Sequence, residues 1–222
     1  MLKTKIFREV GDRMILPKID YHSHILPGID DGAESVKKSI SIIKKTKRYG
    51  DREIYATPHC YLHKTSVESF CAKRQQALES IENNGIEIPV KLGAEILLIP
   101  GLYNLREIDK LCMPDGNNIL LELPLTESLI TEQHFITVEQ LKKRFGIVMA
   151  HPNRYSDFTV EQMLEIGAVL QINSDDVCVR KEHKRIIKWM DRDRVYALGS
   201  DAHQKKGSYR RFNKAYKCLF PK

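Results

Sequence analysis

Hydrophobic positions along the chain form short apolar runs that alternate with segments of helical periodicity. Val36, Ile40 and Ile43 recur at three- and four-residue spacing, which predicts an amphipathic helix. Two later helices are expected to begin at Thr137 and Thr159, because each Thr is followed three residues later by Gln in the form of a capping box. The seven strand-like runs are Met14–Tyr21, Glu53–Thr57, Pro89–Leu98, Ile119–Leu123, Ile147–Ala150, Ala168–Ile172 and Val195–Leu198.

The alternation of these runs with helices predicts a parallel sheet covered by helices, either an open doubly wound sheet or a closed barrel. Six of the seven runs carry His, Asp or Glu at or near the C-terminal end. In a (β/α) barrel these ends meet at one rim, whereas an open sheet would spread them along a line. The sequence therefore favours an α/β barrel, formed as a single domain over residues 1–222.

Two pairs of residues at the ends of this predicted barrel have the spacing of metal ligands. His22 and His24 lie two residues apart on the first run, so both imidazoles point to the same side and can bind one ion. Asp201 and His203 repeat that spacing after the last run, and closure of a barrel would make the two pairs neighbours. The full set of candidate ligands is His22, His24, Asp31, His59, Glu95, Glu122, His151, Asp201 and His203.

The chemistry of this donor set indicates a hydrolytic metal centre. Imidazole nitrogens and carboxylate oxygens without thiolates suit Mn, Fe, Zn or Mg, and nine donors are enough for two or three ions. Carboxylates clustered without metal would repel one another and raise each other's pKa. Paired ions deprotonate a shared water near neutral pH and clamp a phosphoryl group. The residues therefore predict a phosphoesterase in which a metal-activated hydroxide attacks phosphorus.

Covalent routes to the same reaction lack their motifs. No cysteine is followed six residues later by Arg, as a cysteine phosphatase requires. The G-x-S-x-G, H-E-x-x-H and G-x-x-x-x-G-K-[ST] patterns are also absent from the sequence. The five cysteines form no C-x-x-C pair, which argues against a disulfide framework or a thiolate zinc site.

Composition and charge limit the cellular location and the classes of binding partner that we expect. No apolar run approaches the roughly 18 residues of a membrane span, and charge interrupts the N-terminal residues where a signal peptide would need an apolar core. We therefore expect a cytoplasmic protein with no membrane insertion. The formal net charge of +7 is scattered over predicted helices without interleaved aromatic residues, so nucleic acid is a disfavoured partner.

Several motifs, in order along the chain, resemble those of the PHP superfamily. More narrowly, they resemble its bacterial protein-tyrosine phosphatases of capsule and exopolysaccharide biosynthesis. The H-x-H opening is common to PHP proteins, whereas the run H-S-H-I-L-P-G-I-D-D-G together with A-H-P-x-R-Y is specific to this branch. The matching segments, which span residues 17–203, are Asp20–Gly32, Ala56–His59, Gly93–Glu95, Ala150–Tyr155, Gln171–Ser174 and Gly199–His203.

This resemblance implies a distorted (β/α)7 barrel with a trinuclear, manganese-type site, and it makes all nine candidates ligands. It also implies that Arg154 binds a phosphate oxygen, a task suited to a planar fork of donors. Arg154, Asp201 and His203 are the residues expected to take part in catalysis. The implied division places His22, His24 and Asp201 on one ion with Glu95 bridging, Glu95, Glu122 and His151 on a second, and Asp31, His59 and His203 on a third.

The implied substrate is phosphotyrosine on a protein, namely the tail of a bacterial tyrosine kinase that controls polysaccharide export. Such a substrate needs an open cleft, which we expect Tyr61 and Tyr155 to flank. Family members usually continue for a further helix or two, so a shorter C-terminal end is expected here beyond the final predicted helix around Ser208–Leu219. The sequence leaves the oligomeric state open, a homo-oligomer included.

Two other functions remain open at this point. The first is a PHP phosphoesterase that acts on a small metabolite such as histidinol phosphate, or on nucleic acid. The second is an inactive metal-binding module that contacts a kinase or a scaffold. The complete set of ligands favours the phosphatase over the inactive module.

Overall fold

Parallel strands curl into a barrel in the computed structural model, which describes residues 8–10, 13–15, 18–203 and 207–220. The strands are β1 (Arg8–Val10), β2 (Arg13–Ile15), β3 (Ile19–Ser23), β4 (Glu53–Ala56), β5 (His59–Cys60), β6 (Val90–Leu92), β7 (Glu95–Leu97), β8 (Asn118–Glu122), β9 (Gly146–Met149), β10 (Val169–Asn173) and β11 (Val195–Gly199). β1 and β2 pair antiparallel, and every pairing among β3–β11 is parallel.

Helices follow the strands and cover the outside of the barrel. They are α1 (Val36–Arg48), α2 (Val67–Glu82), α3 (Glu132–Lys142), α4 (Asp157–Ile166), α5 (Ser174–Val177), α6 (Arg180–Asp191) and α7 (Ser208–Leu219). Short 3₁₀ turns lie at Leu102–Asn104, Ile108–Leu111, Glu127–Leu129 and Pro152–Arg154. None of the helices in the described part of the chain is both long and apolar enough to cross a membrane.

Two strands of the barrel are interrupted, and each continues in a second segment. β3, β4 and β6 form one sheet, while β5, β7, β8, β9, β10 and β11 form the next. Between β4 and β5 stands Pro58, which has no N–H to donate to a neighbouring strand. Between β6 and β7 stands Gly93, where a Cβ atom would come within 3.0 Å of the Thr57 side chain. With β4–β5 and β6–β7 each counted once, seven strand positions follow one another around the barrel.

Backbone hydrogen bonds close the remaining gap between the first and last barrel strands. Asp201 N donates to His22 O at 2.8 Å, and His24 N donates to Ala202 O at 3.0 Å. Ser23 and Ala202 form a parallel bridge at the same place. The predicted distorted (β/α)7 barrel is therefore confirmed, and its closure joins the two sequence motifs that contain the candidate ligands.

The first barrel strand, β3, is shorter than the predicted run. It begins at Ile19, whereas the prediction began it at Met14, which pairs instead with Glu9 in the antiparallel β1–β2 hairpin. Leu16 and Pro17 of the predicted run lie outside the described residues. The final helix spans Ser208–Leu219, as predicted.

Both predicted capping boxes were wrong about where their helices begin. α3 starts one and a half turns earlier than expected, with Thr131 at its N-cap and the His134 imidazole closing the capping box. Thr137 lies inside α3, where its hydroxyl donates to Gln133 O at 2.7 Å. α4 is capped by Ser156, whose hydroxyl accepts from Thr159 N at 3.3 Å. A Thr inside a helix can satisfy its hydroxyl on the preceding turn, so the sequence pattern alone did not locate the cap.

The hydrophobic core is continuous from the barrel interior to the inner faces of the helices. α7 contributes Tyr209, Phe212 and Ala215, all buried, and Phe212 is fully inaccessible to solvent. The helix therefore packs by its apolar face while its basic side chains face outward.

We expect Phe212→Ala to lower the free energy of unfolding by about 3–5 kcal/mol, because it removes a fully buried aromatic side chain and leaves a cavity. Lys214→Ala, on the exposed face of the same helix, should change it by less than about 0.5 kcal/mol. Urea unfolding followed by circular dichroism measures both values. Equal small losses in the two variants would show that α7 does not contribute to the cooperative core.

Candidate metal centre

The nine predicted ligands converge at one end of the barrel. Six of them stand at or just after the C-terminal ends of β3, β8, β9 and β11. His59 and Glu95 begin β5 and β7, the second segments of the interrupted strands, and Asp31 lies in the loop between β3 and α1. Five of the nine are buried, while His59, Asp201 and His203 are partly exposed and Asp31 is exposed. One side of the site is therefore buried, and the other side is open to solvent.

Glu95 occupies the middle of this cluster. Its Oε1 lies 2.7 Å from His151 Nε2. Its Oε2 lies 3.3 Å from both His22 Nε2 and His24 Nε2, and 2.9 Å from His59 Nδ1. Nevertheless, Oε2 is buried without a well-formed hydrogen bond from any described residue. A buried carboxylate oxygen of this kind is costly unless a cation binds it, so its surroundings fit a bridging metal ligand.

His22, His24 and Asp201 form the innermost group. The two Nε2 atoms lie 3.1 Å apart, and Asp201 Oδ1 is 3.4 Å from His24 Nε2 and 3.8 Å from His22 Nε2. Atoms that bind the same ion at about 2.1 Å are separated by distances of this size. The three side chains can therefore hold one ion without rearrangement of the backbone.

Two further groups share residues with the first. Asp31 Oδ1 lies 3.2 Å from His203 Nε2 and 3.5 Å from His59 Nε2, and ligand atoms of His24 complete this group within 4.8 Å. His59, Glu95 and Glu122 form the other group. His24 and His59 thus each adjoin two groups, a sharing that the division implied by the resemblance did not contain.

His151 is the ninth member of the cluster and adjoins the last of these groups. Its Nε2 lies 2.7 Å from Glu95 Oε1 and 3.4 Å from Glu122 Oε1. The structure therefore brings all nine predicted residues together, while their service as ligands stays a prediction.

The electrostatics of the cluster are those of interleaved acids and imidazoles. Burial alone would raise the pKa of Glu95, but the surrounding His22 and His151 hold it well below its usual range. Burial likewise opposes the positive form of His24, yet the carboxylates of Asp201 and Asp30 raise its pKa well above the usual value. Burial also opposes the positive form of His151, but Glu122 and Glu95 raise its pKa to about 9. A cation that replaced those protons would meet the same negative charge.

Outer hydrogen bonds orient two of the imidazoles. His22 Nδ1 lies 2.7 Å from Gln171 Oε1, and His24 Nδ1 lies 2.7 Å from Asp30 Oδ2. Asp30 also accepts from the backbone N–H of Gly32 and His59. Partners of this kind fix the tautomer, so each Nε2 carries its lone pair toward the centre.

Sequence reasoning missed these supporting residues. Asp30 adjoins the predicted Asp31, and nothing in the spacing distinguished a ligand from its support. Gln171 offered one signal, since it is a polar residue inside a buried strand and is 1% exposed.

A second missed contact ties the last barrel strand to the first. Asp20 is fully buried and accepts from Ser200 Oγ at 2.6 Å and from Ser200 N at 2.7 Å. Burial raises the pKa of Asp20 to about 7, although the hydrogen bonds from Ser200 oppose that shift. Asn173 Nδ2 donates to Asp201 Oδ2 at 2.8 Å. Together these contacts fix the backbone and side chain of Asp201.

Arg154 stands at the open side of the site. It ends the 3₁₀ turn Pro152–Arg154, which follows His151 in the left-handed conformation (φ 32°). Its Nη2 lies 2.7 Å from Asp201 Oδ2, its Nη1 lies 3.4 Å from Glu122 Oε1, and its side chain is 41% exposed. The guanidinium therefore touches predicted ligands on one side and borders a solvent-filled cleft of about 580 Å³ on the other.

The two tyrosines expected to flank the cleft lie in different environments. Tyr155 is buried, and its hydroxyl donates to Leu123 O at 2.7 Å, so the prediction that it flanks the cleft was wrong. Its ring is buried in the apolar interior and stacks on the His151 ring with centroids 6.3 Å apart. Tyr61 is half-buried, and its ring lies parallel to that of His59 at 5.4 Å.

Comparisons with known proteins place this geometry in context. A family model described as capsular polysaccharide synthesis, CpsB/CapC, matches residues 18–222. Tyrosine-protein phosphatase YwqE from Bacillus subtilis is 28% identical over 200 residues, which cover 85% of this chain and 78% of YwqE. Tyrosine-protein phosphatase CpsB from Streptococcus pneumoniae is 27% identical over 206 residues, which cover 83% of this chain and 82% of CpsB.

A solved structure shares the fold. It comes from work on YwqE from Bacillus subtilis and CpsB from Streptococcus pneumoniae, which are described as metal-dependent tyrosine phosphatases. It superimposes with a TM-score of 0.73 at 24% identity, and covers 92% of this chain and 88% of that chain. At this identity, the likeness establishes the barrel architecture.

We expect Glu95→Gln to lose at least one tightly bound divalent ion per chain, because Glu95 adjoins every imidazole at the centre of the cluster. Metal analysis after dialysis measures the loss. Glu53→Gln is the matched control, since Glu53 begins β4 at the opposite end of the barrel and pairs with Lys91. An unchanged metal content in Glu95→Gln would remove Glu95 from the site.

Asp30→Asn should weaken manganese binding about 10- to 100-fold. The carboxylate accepts hydrogen bonds from N–H groups on both oxygens, whereas the amide would turn an NH₂ donor toward one of those N–H groups. Titration calorimetry with manganese measures the affinity. Asp109→Asn, at an exposed position of the 3₁₀ turn Ile108–Leu111, should leave it unchanged. Equal affinities in the two variants would mean that Asp30 does not orient His24.

Proposed function

Because the chain belongs to the CpsB/CapC family of capsular polysaccharide synthesis, we propose that it is a metal-dependent phosphatase that hydrolyses phosphotyrosine on a protein. The observation that carries this proposal is the position of Glu95 Oε2, a buried carboxylate oxygen with three imidazole nitrogens within 3.3 Å and no well-formed hydrogen bond from the described residues. The names of the CpsB and YwqE relatives support the same reaction.

We propose that the site holds three divalent ions, with manganese as the first choice and iron, zinc or magnesium as alternatives. The donors are nitrogens and oxygens without thiolates, which suits these ions. Three overlapping groups of ligand atoms support the number of ions. The proposed ligands are the nine residues predicted from the sequence: His22, His24, Asp31, His59, Glu95, Glu122, His151, Asp201 and His203.

The bound ions would supply a water of lowered pKa and positive charge beside the phosphoryl group. Arg154 would donate its planar N–H groups to a phosphate oxygen, since its guanidinium reaches from the predicted ligands to the cleft. Negative charge on the equatorial oxygens grows during phosphoryl transfer, so a fixed guanidinium at this place favours the transition state. Asp201 holds Arg154 in that position through its 2.7 Å contact.

A phosphotyrosine substrate suits the open side of the site. Its leaving group has a pKa of about 10, so the tyrosinate departs with little help from a general acid. Tyr61, parallel to His59, offers an aromatic surface beside the predicted ligands. We further propose, from the resemblance of the motifs, that the substrate is the tail of a bacterial tyrosine kinase that controls polysaccharide export, and that the reaction takes place in the cytoplasm.

Removal of metal gives the direct test of the reaction. The protein purified without metal should hydrolyse a phosphotyrosine peptide only after manganese is added, and chelation should abolish the activity. A panel with histidinol phosphate and a 5′-phosphorylated oligonucleotide separates the other phosphoesterase functions. Preference for either of those substrates, or no hydrolysis of any of them with manganese bound, would contradict the proposal, and the second result would favour an inactive binding module.

Arg154→Lys should lower kcat/KM for the phosphotyrosine peptide about 100-fold, close to the loss in Arg154→Ala. A lysine carries the charge but cannot present two parallel donors to the phosphate. Steady-state kinetics with saturating manganese measure the loss. Arg106→Ala, an exposed arginine between two 3₁₀ turns, is the control for loss of positive charge. Full activity of Arg154→Lys would reduce the role of Arg154 to its charge.

A further inference from the structure

The combined net positive charge of two helices exceeds the net charge of the whole chain. α1 contains six basic and no acidic residues, and α7 contains four basic and no acidic residues. These ten charges exceed the formal net charge of +7, so the rest of the chain is net negative. The positive charge is therefore concentrated on one part of the molecule.

Most of this charge is uncompensated. Lys47 pairs with Glu87, and Arg211 pairs with Asp175. For Lys38, Lys45 and Arg210, no acidic side chain of the described residues lies within ion-pair distance. Basic residues on a helix are usually a solvated face, but a surface without interspersed acids maintains a positive potential that attracts anions.

The two helices border a common groove. Its lining includes Lys38 and Lys45 of α1, Arg210 of α7, and Ala202 and His203. His203 also lines the cleft beside Arg154. The basic groove and the cleft of the candidate metal centre therefore share His203 in their linings.

We propose that this groove binds an acidic segment of the phosphotyrosyl protein while its phosphotyrosine occupies the cleft. This inference rests on the proposed function and adds a substrate class to it, namely phosphotyrosines flanked by negatively charged residues. The groove supplies three basic side chains next to the cleft, from which His203 alone separates it. Carboxylates of the segment would meet these cations directly.

Other anionic partners fit this surface less well. An interfacial membrane helix needs exposed apolar side chains beside its cations. The large exposed hydrophobic residues of the described chain include Leu125, Phe158 and Val179, and none of them belongs to α1 or α7. A single-stranded nucleic acid needs well-exposed aromatic side chains for stacking. Tyr209 and Phe212 of α7 are buried, and Tyr49 and Tyr216 are only partly exposed.

The test compares the variant Lys38→Gln/Lys45→Gln/Arg210→Gln with the unmodified protein. The probes are two fluorescein-labelled phosphotyrosine peptides, one flanked by glutamates and one by glutamines. We expect the triple variant to bind the glutamate peptide about 10-fold more weakly at low salt, with little change for the glutamine peptide. The difference should shrink at high ionic strength, because the charges are exposed and screened.

The matched control removes three positive charges elsewhere, through Arg106→Gln, Lys143→Gln and Lys188→Gln, and should bind both peptides normally. Lys45→Gln alone should give a smaller loss, which keeps the test valid if the triple variant folds poorly. Equal binding by the triple variant and the control would overturn the proposal. So would a selective loss of binding to phosphatidylserine vesicles or to single-stranded DNA with peptide binding intact.

Hydrolysis of p-nitrophenyl phosphate with manganese separates this inference from the proposed function. This small substrate has no flanking residues that could contact the groove, so the triple variant should keep the kcat/KM of the unmodified protein. If the unmodified protein does not hydrolyse p-nitrophenyl phosphate, the proposed function fails, while the peptide-binding measurement still decides the groove. If hydrolysis is normal and the glutamate peptide gains nothing from the three cations, the groove inference alone fails.

Discussion

Closure of the barrel is the interaction on which the rest of the structure depends. The hydrogen bonds from Asp201 N to His22 O and from His24 N to Ala202 O join the first strand to the residues after the last one. They bring two pairs of residues, nearly the whole chain apart in sequence, within 4 Å of each other. The buried hydrogen bonds between Asp20 and Ser200 also join these two segments. Without the junction, the site would be two half-sites on separate edges of a sheet.

A site assembled in this way carries a large density of opposite charges in a small volume. The pKa values of Glu95 and Asp201 are lowered and those of His24 and His151 are raised, so the cluster is arranged to balance added positive charge. The surface around it is also uneven, because α1 and α7 concentrate basic residues beside its open side. Both features suit an anionic substrate, the first by chemistry at the phosphoryl group and the second by attraction from a distance.

The sequence predicted the barrel and the membership of the cluster because strand ends in a parallel barrel converge whatever the details of the loops. The family followed from the resemblance of the motifs. It could not predict Asp30 or Gln171, since which side chain supports an imidazole depends on rotamers and on strands far apart in sequence. Thr137 misled the placement of a helix start, because a hydroxyl inside a helix resembles a cap in one dimension. Tyr155 was misplaced because its motif does not reveal that the core buries its ring.

Anomalous X-ray diffraction at the manganese edge, from crystals grown with manganese and inorganic phosphate, tests the central claim most directly. We expect anomalous peaks within about 2.5 Å of Glu95 and the surrounding His and Asp side chains, with phosphate between them and Arg154. Peaks elsewhere on the protein, or no peak in this pocket at saturating manganese, would contradict that claim.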